Sequence, residues 1–142
     1  MLASMRRKAK HDTEGQALAG TRTPRTPTPR TPLPGRPVRG SDTGRPIMAL
    51  LDLLGRRWAL RVLWELRGDP APTFRDLQQR TGGVSSSVLT DRLRELTEAG
   101  ITERGEAGYR LTPRGRDLLA CLAPLGNWAA DWAAAQAAGG EP

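Results

Sequence analysis

Ser85, Ser86, Ser87, Thr90, Arg92 and Arg94 crowd into one short stretch, SSSVLTDRLR. Hydroxyls and guanidinium groups donate hydrogen bonds, and donors of this kind suit phosphate oxygens and the edges of bases. Short hydroxyl side chains also let a helix backbone approach a ligand closely. The unpaired N–H groups of a helix's first turn would add to the same donor array. Arg104 and Arg110 supply two more cations a little further along the chain.

Catalytic chemistry finds little footing by comparison. The one histidine, His11, lies far from any apolar segment, and no Cys/His cluster has zinc-ligand spacing. No glycine-rich loop precedes a P-loop lysine, and the acidic residues are scattered among arginines. The expectation is a non-enzyme with no metal and no cofactor. Asp91 and Glu95 are read as solvated helix-surface acids opposed by Arg94 and Arg92.

The donors need a helix to present them. At 100° per residue, Leu89, Leu93 and Leu96 share one stripe about 60° wide, which must face a core. Ser87, Thr90, Asp91 and Arg94 fall on the opposite side. Arg92 borders the stripe, so a bond within the domain is the alternative to outward contact. Ser85 as N-cap and Gly100 just past the end predict a helix over 86–99.

The flanking pattern supplies neighbours for that helix. In IMALLDLLGRRWALRVLWELRG, apolar residues at helical spacing on either side of Gly55 predict two helices, with Trp58 and Trp64 in their core. After a stub at Thr73 and Phe74 comes a helix of about two turns, FRDLQQRTGG, with Thr73 and Asp76 spaced for a capping box. Residues 101–103 and 109–112 read as a β-hairpin around RGEAG. Thr112-Pro113 opens another helix through Leu118, Leu119 and Leu122, broken near Pro124 before a last, alanine-rich helix. Leu125, Trp128 and Trp132 form an apolar ridge on that helix, read as packing within or between subunits. Cys121, the only cysteine, is expected to be buried and inert.

The chain has 142 residues and a net charge of +7. Its first 46 residues hold ten Arg or Lys against three Asp or Glu, so the whole excess sits there; the remainder balances at zero. Residues 21–40 carry four Thr-Pro steps and no aromatic residue, a composition too poor in apolar groups to fold. The expected organisation is a disordered basic tail over 1–45, a domain over 46–138 and a flexible end over 139–142. A cytoplasmic setting is expected, because no apolar run is long enough to span a membrane.

Helix, short helix, polar-faced helix, hairpin, helix is the order of a winged helix-turn-helix. The expected fold class is therefore mainly α with a small β-hairpin. LLDLLGRRWALRVLWEL, TFRDLQQRTGGVSSSVLTDRLRELTEAGITER, YRLTPRGRDLL and WAADW together resemble the HxlR-type bacterial transcriptional regulators, within the wider MarR-like group. The resemblance implies a homodimer that binds double-stranded DNA at a pseudo-palindromic operator through helix 86–99 and the 104–110 wing. It places Ser85, Ser86, Ser87, Thr90, Arg92 and Arg94 in the reading region and Arg104 and Arg110 beside the wing. Dimerisation would use extra N- and C-terminal helices, through Leu50, Leu54, Leu122, Leu125, Trp128 and Trp132. The wing is shorter than is usual for the family and carries Glu106 at its tip, and TGRPIMALL lacks the cysteine that redox-sensing members carry there. A small-molecule effector is compatible with the resemblance, though no residue names one. The alternative is a winged-helix module that docks protein instead of DNA.

Overall fold

The computed structural model describes residues 30–140. Most of the expected basic tail, residues 1–29, and the last two residues lie outside the described residues. Six helices and one hairpin follow in order: α1 (Pro46–Leu54), α2 (Ala59–Glu65), α3 (Phe74–Thr81), α4 (Ser86–Glu98), β1 (Thr102–Arg104), β2 (Tyr109–Leu111), α5 (Pro113–Leu122) and α6 (Pro124–Gly139).

Local chemistry sets the helix ends. Ser85 Oγ accepts from Val88 N at 3.2 Å to start α4, and Thr112 Oγ1 accepts from Gly115 N at 3.0 Å to start α5. At α3 the capping box is complete: Thr73 N donates to Asp76 Oδ2 at 2.9 Å, and Asp76 N donates to Thr73 Oγ1 at 3.1 Å. Gly82 ends α3 with a positive φ of 70°. Thr73 therefore serves as the N-cap of α3.

The core gathers one face from each element. Val62 and Leu63 of α2 and Leu77 of α3 meet Leu89, Leu93 and Leu96 of α4. α2 packs against both α3 and α4, so the short α3 and the longer α4 are buttressed by one helix. Trp58 caps α2 in a left-handed conformation, φ 75°. Ala59 N donates to Arg56 O at 3.0 Å, which puts Trp58 at the third position of a tight turn where glycine is the usual residue. Packing of the indole against the core offsets that backbone cost.

The hairpin is antiparallel, with Thr102 opposite Leu111, Glu103 opposite Arg110 and Arg104 opposite Tyr109. Two glycines let it sit close to its neighbours. A Cβ on Gly108 would collide with the Pro72 carbonyl, and one on Gly115 with the Ile101 carbonyl. Tyr109 N donates to Pro72 O at 2.9 Å, tying the hairpin to the loop before α3.

Several expectations are corrected here. The compact unit that holds the helices runs from Thr31 and so takes in residues ahead of the boundary expected at 46. Residues 31–45 form a strap: Thr31 and Pro32 are buried, Val38 and Ser41 pair with each other, and Arg39 N donates to Asp52 on α1 at 3.1 Å. Backbone hydrogen bonds close this segment although its composition is poor in apolar groups. The last helix runs through Gly139, so the end expected to be flexible is partly helical. Leu54 is 7 % exposed and belongs to the chain's own core, which leaves it little surface for the dimer contact expected of it. Trp64, expected in the core, is 49 % exposed, with the Arg67 guanidinium stacked 3.4 Å over its ring. Cys121 is exposed, because it lies on the side of α5 turned away from the core.

The Asp76 carboxyl is held below the ordinary aspartate range, first by the Thr73 N–H, then by the Thr73 hydroxyl, with Arg80 adding a smaller attraction. A depressed folded-state value means that this contribution to stability is present above the ordinary aspartate pKa and is lost as pH falls through the lower, folded value. Asp76→Asn is expected to make stability less sensitive to acid, measured as the difference in urea midpoint between about pH 7 and about pH 3.

Candidate nucleic-acid interface

α3, the turn through Gly82 and Gly83, and α4 form a helix-turn-helix. The turn ties the two helices together by side chains as well as by backbone, since Gln78 Nε2 on α3 donates to Ser86 Oγ at 2.8 Å. Ser85, Ser86, Ser87 and Thr90 are all exposed at the N-terminal half of α4. Ser85 and Ser87 hydroxyls lie 3.3 Å apart, and Thr90 Oγ1 donates to Ser86 O at 2.8 Å. Ser86 and Ser87 are first-turn positions, where backbone N–H groups have no partner inside the helix. This end of α4 is therefore a compact, exposed surface of short hydroxyl side chains, with Gln78 at its edge.

The inner side of α4 is held by charge as well as by leucines. Glu95, expected on the surface, is only 2 % exposed. Arg92 Nη1 donates to its two oxygens at 2.8 and 3.1 Å, and Arg56 Nη1, from the loop between α1 and α2, reaches it at 3.3 Å. Arg92 is thus corrected from an outward contact to an internal one, with only 14 % of its side chain exposed. It borders the apolar stripe, and the buried carboxylate draws it inward.

Arg94 does point outward, but in company. It lies 3.5 Å from Asp91 and 3.6 Å from Glu98. Both pairs are solvent-exposed and contribute little individually, so Arg94 can leave them for a phosphate or base at small cost. On the hairpin, Arg104 and Arg110 emerge on opposite faces. Arg110 bonds Glu103 across the strands at 2.8 Å. Arg104 sits 5.7 Å from the Tyr109 ring and has no ion-pair partner among the described residues. Arg104 is accordingly the more available wing cation.

Two contributors escaped the sequence reading. Gln78 links α3 to α4 through Ser86, and Arg61 on α2 donates to Arg80 O near the end of α3 at 3.0 Å. A glutamine eight positions from its partner carries no periodic signal. Among the described residues no cluster of His, Cys, Asp or Glu could hold a metal ion, and no helix is long and apolar enough to cross a membrane.

A three-helix unit whose last helix turns an exposed donor surface outward, followed directly by a two-stranded wing, is a winged helix-turn-helix. The chain belongs to the HxlR-like helix-turn-helix family, whose model matches residues 53–137. Among its relatives are the uncharacterized HTH-type transcriptional regulator YvaP of Bacillus subtilis, 27 % identical over 58 % of this chain and 82 % of that protein, and one from Synechocystis, 35 % identical over 61 % of this chain and 69 % of the other. Solved structures agree. Quinone-bound YodB from Bacillus subtilis superposes with a TM-score of 0.56 at 29 % identity, covering 60 % of this chain and 96 % of that one. A MarR-family transcriptional regulator from Enterococcus faecalis gives 0.57 at 31 % identity, covering 64 % and 88 %.

Glu95→Ala would strand Arg92 beside an emptied, buried carboxylate position. It is expected to cost about 3–5 kcal/mol, the usual penalty for breaking a buried ion pair from one side. Urea-induced unfolding of the two proteins checks the value.

Proposed function

We propose that this protein is a DNA-binding transcriptional regulator that holds a pseudo-palindromic operator as a homodimer. The observation that carries the reading is the exposed Ser86, Ser87 and Thr90 surface at the N-terminal half of a helix whose other side is locked into the core. Hydroxyls and first-turn N–H groups there can reach phosphates, and the lack of bulk lets the helix enter a major groove. Arg94 supports the base contacts or the flanking phosphates, and Arg104 on the wing reaches the backbone beside them. The reading is non-enzymatic, and a regulator working on the chromosome acts in the cytoplasm.

The homodimer is supported by what the protomer leaves uncovered. α6 has no buried residue, and its Leu125, Trp128 and Trp132 are 57 %, 62 % and 54 % exposed. Trp128 and Trp132 stack on each other with ring centroids 5.8 Å apart, a continuous apolar surface that a monomer rarely presents to water. Leu50 and Leu122 are half-buried against the protomer's own core and border this contact at most. Two copies joined through α6 would set their reading helices for half-sites roughly 34 Å apart, one turn of DNA.

Ser87→Glu places a negative charge on the reading surface without touching the core. It is expected to weaken operator binding about 10-fold or more while leaving thermal unfolding unchanged, because added negative charge faces phosphate. Operator affinity equal to wild type in a band-shift titration would remove α4 from the interface and favour protein docking. Trp132→Asp is expected to convert the dimer to a monomer in sedimentation velocity. A dimer that persists would shift the contact away from α6.

A further inference from the structure

The tripeptide Arg-Thr-Pro recurs three times, at residues 22–24, 25–27 and 30–32. The third copy lies among the described residues, at the start of the strap. Thr31 is 3 % exposed, and its hydroxyl donates to Glu98 Oε2 at the end of α4. Pro32 is buried beside it. Neither the operator contact nor the dimer contact uses this threonine.

The seat suits a hydroxyl and nothing larger or more negative. Thr31 has one proton to donate, and the Glu98 carboxylate accepts it. The other oxygen of that carboxylate is engaged by Arg94 at 3.6 Å. A phosphoryl group on Thr31 would remove the donor and set about two negative charges beside a carboxylate. It would also need room that so covered a side chain does not have. The Thr31 end is nonetheless easy to open. Gly35 N donates to Gly44 O at 3.0 Å, and Val38 pairs with Ser41, so these bonds close the strap on itself and not on α4. A chain segment held to its helix in this way is the kind that opens locally while the core stays folded.

We propose that Thr31 is a phosphorylation site for a proline-directed serine/threonine kinase, and that the modification keeps the strap off α4. In the open strap Thr31 Oγ1 attacks the γ-phosphorus of ATP. Its proton passes to a base of the kinase, and the bond to the β,γ-bridging oxygen breaks to release ADP. The phosphothreonine is repelled by Glu98 and cannot return to its seat. Arg94 then keeps Glu98 to itself, with a new dianion tethered beside the helix that carries the reading surface.

The test of the site is phosphopeptide mapping of the full chain isolated from its own cells with phosphatases inhibited. Trypsin cuts after Arg30 and Arg39, which separates Thr31 from the other three Thr-Pro steps. Phosphate on Thr31 is expected; its absence there would overturn the site. The test of the release is backbone hydrogen exchange in the full chain with phosphothreonine incorporated at position 31. The amides of Gly35, Val38 and Ser41 should exchange about 10-fold faster or more than in the unmodified chain, and Thr31→Val, which removes the hydroxyl without adding charge, should have a smaller effect. Unchanged exchange, or an equal effect of Thr31→Val, would overturn the release. The last arm alone rests on the regulator reading: the phosphorylated chain should bind its operator about 3- to 10-fold more weakly than the unmodified chain. Unchanged operator affinity would overturn the coupling but not the site, whereas failure of the unmodified chain to bind any operator counts against the regulator reading alone.

Discussion

A carboxylate buried on α4 fixes the geometry of the helix-turn-helix. Glu95 is covered almost completely, yet it sits between two guanidinium groups, one from its own helix and one from the loop that joins α1 to α2. Buried ion pairs add little net stability compared with apolar packing, but breaking one from a single side is costly. Their use lies in direction. Leucines at 89, 93 and 96 bury α4 through a non-directional force, whereas Glu95 accepts hydrogen bonds only along defined lines and so opposes rotation of the helix about its axis. That rotation decides whether Ser87 and Thr90 face outward.

The same economy of charge runs across the surface. Outside the 46 N-terminal residues the formal charge is balanced, and many of the cations there are matched locally: Arg94 by Asp91 and Glu98, Arg110 by Glu103, Arg61 by Glu65. A domain of this kind gains little from bulk attraction to DNA and depends on where its donors lie. The strap meets α4 directly, because Thr31 donates to Glu98 at the end of that helix.

Much of the fold was legible in the sequence because it rests on local rules. The Leu89, Leu93 and Leu96 stripe, the Ser85 and Thr112 caps, the Thr73 and Asp76 box and the Gly82 stop each act within a few residues, and all stand in the structure. The failures share a different origin. Glu95 falls well away from the leucine stripe, and its burial depends on Arg56, thirty-nine positions earlier. The 31–45 strap reads as unfoldable by composition, yet closes through backbone pairing and the burial of Thr31, Pro32 and Gly44, which periodicity cannot detect. Trp64 and Cys121 look like core residues in their local runs, but Trp64 is half-exposed under the Arg67 guanidinium and Cys121 is exposed on α5. At the candidate interface the serines and Thr90 were readable as a helix face, whereas the inward turn of Arg92 and the bridge from Gln78 were contingent on packing.

The central claim is that α4 reads DNA by sequence and does not merely adhere to it through charge. Affinity of the full chain for DNA from upstream of its own gene, and for a shuffled duplex of equal length, measured across a salt series, tests this most directly. The account predicts that both affinities fall with salt while a gap of about 1,000-fold or more between them persists. Equal affinity for the two duplexes at every salt concentration would contradict it, leaving a cationic tail that binds any polyanion and a helix-turn-helix with another use.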